Sequence, residues 1–132
     1  MNDINPFYSF LGICRKAGKI SLGSEVTERM IKNGKAVLVI IAEDASSGTK
    51  KRFKNKCDFY NIYYLEIGQK ENLGKFLGRN IQSVVSITDM NFKKKLVELA
   101  EKIDKRTITF DSFENGGECW WKKLEYMNWL KN

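Results

Sequence analysis

The sequence predicts an α/β protein: a three-layer α/β/α sandwich around a four-stranded mixed sheet, followed by a C-terminal Trp-rich extension. Three observations predict it. Helical and extended patterns alternate from Pro6 to Ile103. Val37-Leu38-Val39-Ile40-Ile41 is a continuous apolar run rich in β-branched residues, the pattern of a strand buried on both faces and so of a sheet covered by helices on both sides. The character of the chain changes after Ile103, which divides it into a domain at 1–103 and an extension at 104–132.

Pro6 opens the first helix, with Phe7, Phe10, Leu11 and Cys14 at helical spacing and Gly18 as its stop. Arg15, Lys16 and Lys19 gather at its C-terminal end, where the helix dipole favours cations. Lys19–Leu22 is a short strand that turns at Gly23 into a second helix. Ser24 suits its N-cap, Glu25 and Glu28 suit its positive end, and Asn33-Gly34 stops it.

The central strand Val37–Ile41 runs into Ala42–Gly48, a turn rich in capping residues. A third helix follows over about Thr49–Tyr60, with Phe53, Cys57 and Tyr60 inward and Lys50, Lys51, Arg52, Lys54 and Lys56 largely outward. Ile62–Ile67 is the third strand. Lys70–Leu77 makes a short helix that buries Leu73, Phe76 and Leu77 and closes at Gly78. The loop Arg79–Ser83 leads to the fourth strand, Val84–Thr88. Asp89 caps the last helix, Asn91–Ile103, with Phe92, Leu96, Leu99, Ala100 and Ile103 on one side and Lys93, Lys94 and Lys95 mostly on the other.

In the extension, Lys105–Phe110 suits an edge strand, Asn115-Gly116-Gly117 a break, and Glu118–Leu130 a helix. Trp120, Leu124 and Met127 share one face of that helix, with Trp121 and Leu130 at its margins. Such an aromatic stripe packs on its own domain, or pairs with a second copy or a protein partner.

With 42% hydrophobic and 30% charged residues in 132, the composition is that of a globular protein. No apolar run reaches ~18 residues, the length that spans a bilayer, and Met1-Asn2-Asp3-Ile4 lacks a basic-then-apolar leader; a cytoplasmic protein is expected. Cys14, Cys57 and Cys119 follow no metal or redox spacing and are expected to be reduced thiols. The chain has no His, so the usual general base and the commonest zinc ligand are both missing. There is no Walker loop, dinucleotide-binding glycine turn or Ser/His/Asp set. An enzyme would have to rely on carboxylates such as Glu43 and Asp44, which a turn and a cap already explain. No catalytic residue, metal or cofactor is therefore expected.

The net charge of +7 is unevenly placed. Residues 1–103 hold 18 Lys and Arg against 11 Asp and Glu, whereas 104–132 hold 5 against 5. A basic body with a neutral tail suits a bound polyanion. The strands carry few of the aromatics that stack on RNA bases, so binding is expected from loops and helix ends. Four such places are the loop before Ser24, the loop after Asp44, the helix start at Lys70 and the loop Arg79–Ser83. Backbone N–H groups at a helix start hold phosphate, and a carboxylate beside them gains a reason to face RNA only from a donor on a base edge.

From Phe10 to about Leu99 the chain resembles the kink-turn RNA-binding ribosomal protein family, the archaeal large-subunit L-seven-Ae type, and most closely its small bacterial YlxQ-like branch. The matching landmarks are Phe10-Leu11-Gly12 with Arg15-Lys16-Ala17-Gly18-Lys19, then Gly23-Ser24-Glu25-Val26-Thr27. Val39-Ile40-Ile41-Ala42-Glu43-Asp44-Ala45-Ser46, Asn72-Leu73-Gly74-Lys75 and Val84-Val85-Ser86-Ile87-Thr88-Asp89 continue the match. Their order and spacing carry the resemblance rather than any single motif.

The resemblance implies a protein that grips sharply bent RNA at a bulge flanked by sheared G·A pairs. It implies an RNA-binding set of Lys19, Gly23, Ser24, Glu25, Thr27, Glu28, Lys32, Ser46, Lys50, Lys70, Arg79 and Ile81. Glu25 matches the guanine-reading Glu. Ser24 stands where many members have Asn, and Glu28 where many have Lys, a charge reversal for which Lys32 or Lys19 would compensate. Lys70 matches a basic position near an everted base, Ile81 an apolar residue that covers it, and Ser46 and Lys50 positions close by. The expected function is non-catalytic binding of structured ribosomal or leader RNA. The alternative is a protein-interaction domain with a decayed RNA face, joined to a second copy or a ribosome through Trp120, Trp121, Leu124 and Met127.

Overall fold

Pro6 sits in the first turn of α1 (Asn5–Lys16), where its missing N–H is no loss. The computed structural model of the protein describes residues 4–103. The edge strand expected at Lys105–Phe110, the break expected at Asn115-Gly116-Gly117, the expected Trp-bearing helix and Cys119 all lie outside the described residues.

After α1 come β1 (Ile20–Leu22), α2 (Ser24–Lys32), β2 (Leu38–Ile41) and α3 (Ser47–Tyr60). β3 (Tyr63–Glu66), α4 (Lys70–Phe76), β4 (Val84–Ile87) and α5 (Met90–Ile103) complete the described chain. The strands form one mixed sheet in the order β1-β4-β2-β3. β2 and β3 are parallel, while β4 runs antiparallel to both β1 and β2. Every residue of β2 and β4 is buried, as expected of central strands roofed on both faces. α1 packs against α4 and α5 in one layer, and α2 packs against α3 in the other. No described helix is long and apolar enough to cross a membrane.

The register places the functional end of the molecule. Leu22 pairs with Val85, Ile41 with Val84, and Ile41 with Glu66. The segments that leave β1, β2 and β3 therefore emerge at the same edge of the sheet as the segment that enters β4.

Several side chains depart from the pattern read in the sequence. Lys93 was expected outward, yet it is only 4% exposed, and its ammonium lies 4.2 Å above the Tyr63 ring. It shares a helical face with Leu96, Val97 and Ala100, so its methylene stem is core and its charge is held by an aromatic face. Tyr60 was expected inward but, as the last residue of α3 before the left-handed Asn61, it is 40% exposed. Its ring stands 5.0 Å from that of the exposed Phe59. Phe76 is only half-buried, stacked at 5.1 Å on Tyr8, and the Tyr8 ring takes the interior position in its place. Cys14 and Cys57 are buried free thiols. Burial, with Asp89 nearby, raises the Cys14 thiol to about 11, against the pull of a backbone hydrogen bond.

Candidate nucleic-acid interface

Gly23 begins the site. Its φ of 94° lies where side chains are rarely tolerated, and it lets the chain leave β1 and start α2 within one residue. The Gly23 N–H donates to the Val84 carbonyl at 3.2 Å, which anchors the turn to β4. This corrects the capping expected of Ser24. Gly23 is the N-cap, Ser24 is already the first helical residue, and no side chain caps α2. The N–H groups of Ser24, Glu25 and Val26 consequently have no partner among the described residues.

Glu25 stands exposed in this first turn and makes no ion pair among the described residues. It shares a surface depression with Glu28, Arg29 and Lys32. Glu28 behaves differently. Its carboxylate lies 3.5 Å from Lys32, 3.6 Å from Lys56 and 3.8 Å from Arg52. Desolvation opposes its ionisation, but Lys56, Lys32 and Arg52 together outweigh it and hold the carboxyl below the ordinary value. The acid at this position is thus neutralised by its own molecule, by Lys32 and two α3 cations rather than by Lys19.

The other loops are bound to one another. Ala42 N–H donates to Ser83 O at 2.8 Å, and Glu43 N–H to Gly68 O at 2.8 Å. The Glu43 carboxylate accepts from Gly68 N–H at 3.3 Å, and the Asp44 carboxylate from Lys70 N–H at 2.8 Å. Gln82 N–H reaches back to Lys70 O at 3.1 Å. Ser46 caps α3, accepting from Thr49 N–H at 3.2 Å. Lys50 and Lys54 both pair with Glu66, at 3.3 and 2.6 Å. Desolvation of Glu66 is again overridden by these two lysines, and its carboxyl is held low. On the loop after α4, Arg79 is exposed, and Ile81 leaves 55% of an apolar residue in water.

The fold thus gathers Gly23, Ser24, Glu25, Ser46, Lys50, Lys70, Arg79 and Ile81 at one sheet edge. Two of the expected residues, Lys19 and Thr27, stand apart. Lys19 lies before β1, with its carbonyl bound to Thr88 N–H, so it sits at the opposite end of the strand. Four residues of extended chain, ~13 Å, separate it from Gly23. Lys32, at the far end of α2 and paired with Glu28, borders the depression that it shares with Glu25. Thr27 is fully buried, with its hydroxyl unpaired, and presents no side chain to a ligand. Sequence reasoning also missed residues that build the edge. Asp44 was read as capping its own turn, whereas it binds the start of α4, 26 positions onward. Arg52 and Lys56 belong to the basic face expected outward on α3, with no partner foreseen for them. The α2–α3 contact that pairs them with Glu28 has no local signal.

The sequence profile of the Ribosomal protein L7Ae/L30e/S12e/Gadd45 family matches residues 7–98. A Bacillus subtilis (strain 168) relative called RNA-binding protein YlxQ is 34% identical over 95 residues, 72% of this chain and 95% of the relative. A protein of the same name from Enterococcus faecium is 36% identical over 93 residues, covering 70% of this chain and 89% of its own. Among solved structures, a protein with unknown function from Bacillus halodurans C superposes with a TM-score of 0.70 at 32% identity, over 72% of this chain and 96% of that one.

Proposed function

The chain belongs to the Ribosomal protein L7Ae/L30e/S12e/Gadd45 family, and from that premise we propose that it is a non-catalytic RNA-binding protein that reads kinked RNA in a translation-associated complex. Residues 1–103 form the binding unit in this reading, and 104–132 an appended segment. Two relatives carry the name RNA-binding protein, and RNA binding comes to this chain through them.

The observation that carries the reading is Glu25. An exposed carboxylate with no ion pair among the described residues, in a body with a seven-charge excess of cations, has kept its acceptor oxygens available. Beside it, the uncapped N–H groups of α2 suit a phosphate oxygen. A sheared G·A pair leaves the guanine ring N–H and its carbonyl oxygen uncommitted. Glu25 accepts from the first, and the Ser24 hydroxyl donates to the second. Ile81, on the facing loop, covers an everted base, while Lys70 and Arg79 meet the phosphates that the bend brings together. Nothing in this scheme asks for bond making; the work is shape and charge recognition.

The test is titration of the full chain with two RNAs of equal length, one bulged and flanked by G·A pairs and one fully paired. Preferential binding of the bulged RNA supports the reading, and equal binding rejects it.

A further inference from the structure

We propose that Asp44, Tyr8 and Gly74, none of which meets RNA, set the specificity of this edge by clasping the start of α4 and residues 79–82 into one rigid surface. The inference rests on the RNA-binding reading above and adds to it which residues act from behind.

Three contacts make the clasp. The Asp44 carboxylate accepts from Lys70 N–H at 2.8 Å, tying the β2–α3 turn to the first residue of α4. The Tyr8 hydroxyl accepts from Gln69 N–H at 3.0 Å, one residue earlier. Tyr8 is 2% exposed and stacked on Phe76 with an interplanar angle of 11°, so the hydroxyl is held in place by its ring. Gly74 completes the device from the other side of α4. A Cβ there would stand 2.6 Å from Asn80 O and 2.8 Å from Ile81 N, both backbone atoms, so the loop lies directly on the helix backbone at the glycine. Arg79 N–H to Gly74 O at 2.7 Å and Gln82 N–H to Lys70 O at 3.1 Å lock the two ends of that loop. Lys70, Arg79 and Ile81 therefore share one frame, and Asp44 fixes that frame to the strand end from which Ser46 and Lys50 also start. Base recognition depends on such placement, whereas attraction to phosphates tolerates movement.

The experiment compares Asp44→Ala with Asp44→Asn in the full chain. Both remove the same negative charge, but only the Asn side chain keeps an oxygen that can accept from Lys70 N–H, so electrostatic gain cancels between them. The ratio of affinities for the bulged over the fully paired RNA is expected to fall roughly tenfold in Asp44→Ala and to be restored in Asp44→Asn, with the salt dependence alike in both. Gly74→Ala, which changes no charge, is expected to lose the ratio too. Tyr8→Phe, which keeps the stacked ring, is expected to lose part of it. Circular dichroism melts identify any variant that unfolds, and Tyr8→Phe and Asp44→Asn then carry the comparison. Amide hydrogen exchange without RNA reads the clasp itself: Lys70 and Gln82 are expected to exchange faster in Asp44→Ala than in Asp44→Asn. Faster exchange with an unchanged affinity ratio overturns the inference while leaving the RNA reading intact. A wild-type chain that does not distinguish the two RNAs overturns both.

Discussion

Lys56 of α3 places its ammonium 3.6 Å from the Glu28 carboxylate of α2, so this acid is a joint between two helices. Arg52 and Lys32 complete the group at 3.8 and 3.5 Å. Glu28→Lys would set a fourth cation among these three. It is expected to lower the melting temperature, more at low salt than at high, because repulsion between exposed charges is screened. Differential scanning calorimetry at two salt concentrations checks this, and an unchanged melt would show that the joint is idle.

The same carboxyls give the fold an acid limb. Glu28 and Glu66 both have their proton affinity reduced by folding from an ordinary value of 4.5, desolvation being outweighed by the lysines around each. The unfolded chain therefore takes up protons first as the medium is acidified. Their contribution to stability is complete above the unfolded value and disappears as pH falls through the lower folded values. Urea melts are expected to show a flat response near neutrality and a fall below about pH 4.5, smaller in a Glu28→Gln, Glu66→Gln double variant.

Glu25→Ala tests base reading by removing both acceptor oxygens of the side chain. Removing the charge lowers general repulsion of RNA, so affinity for the fully paired duplex is expected to hold or rise. Preference for the G·A-flanked site should drop by about 1 to 3 kcal/mol, the scale of one base-edge contact. Parallel titrations of the two RNAs separate these effects, and equal change in both would remove Glu25 from recognition.

At Gly23 the chain needs a backbone conformation close to glycine's own. Gly23→Ala has open space for its methyl group, so crowding is not at issue. Backbone strain alone is expected to cost about 1 to 3 kcal/mol, read from denaturant unfolding, and to misplace Glu25 with it.

Lys93 offers a test of a core lysine. Lys93→Met keeps most of the stem, while Lys93→Ala removes it. The Met variant keeps the stem but loses the cation over the Tyr63 ring, an interaction on the scale of about 0.5 to 2 kcal/mol, and the Ala variant is expected to lose more. Equal losses would mean that the stem contributes nothing to packing.

Most of the architecture was legible because periodicity reports burial. The all-buried β2 was visible as an apolar run, and Asp89 does cap α5, accepting from Asn91 and Phe92 N–H at 2.8 and 3.1 Å. What escaped was decided between elements. Lys93 lies inward because Tyr63 stands opposite it, and Glu28 finds its cations only once α2 lies on α3. Ser24 lost its cap role to Gly23 through a φ value that no neighbouring residue announces. Likewise the convergence of four loops was foreseeable from strand ends, whereas the distance of Lys19 and the burial of Thr27 relative to that edge were not.

Glu28 and Glu66 between them engage Lys32, Arg52, Lys56, Lys50 and Lys54. These two acids serve as resident counter-ions, already seated before any polyanion arrives. A phosphate that approaches α3 must trade places with a carboxylate instead of displacing only the diffuse atmosphere around the nucleic acid. The small ions set loose on complex formation are then fewer than a tally of basic side chains would suggest.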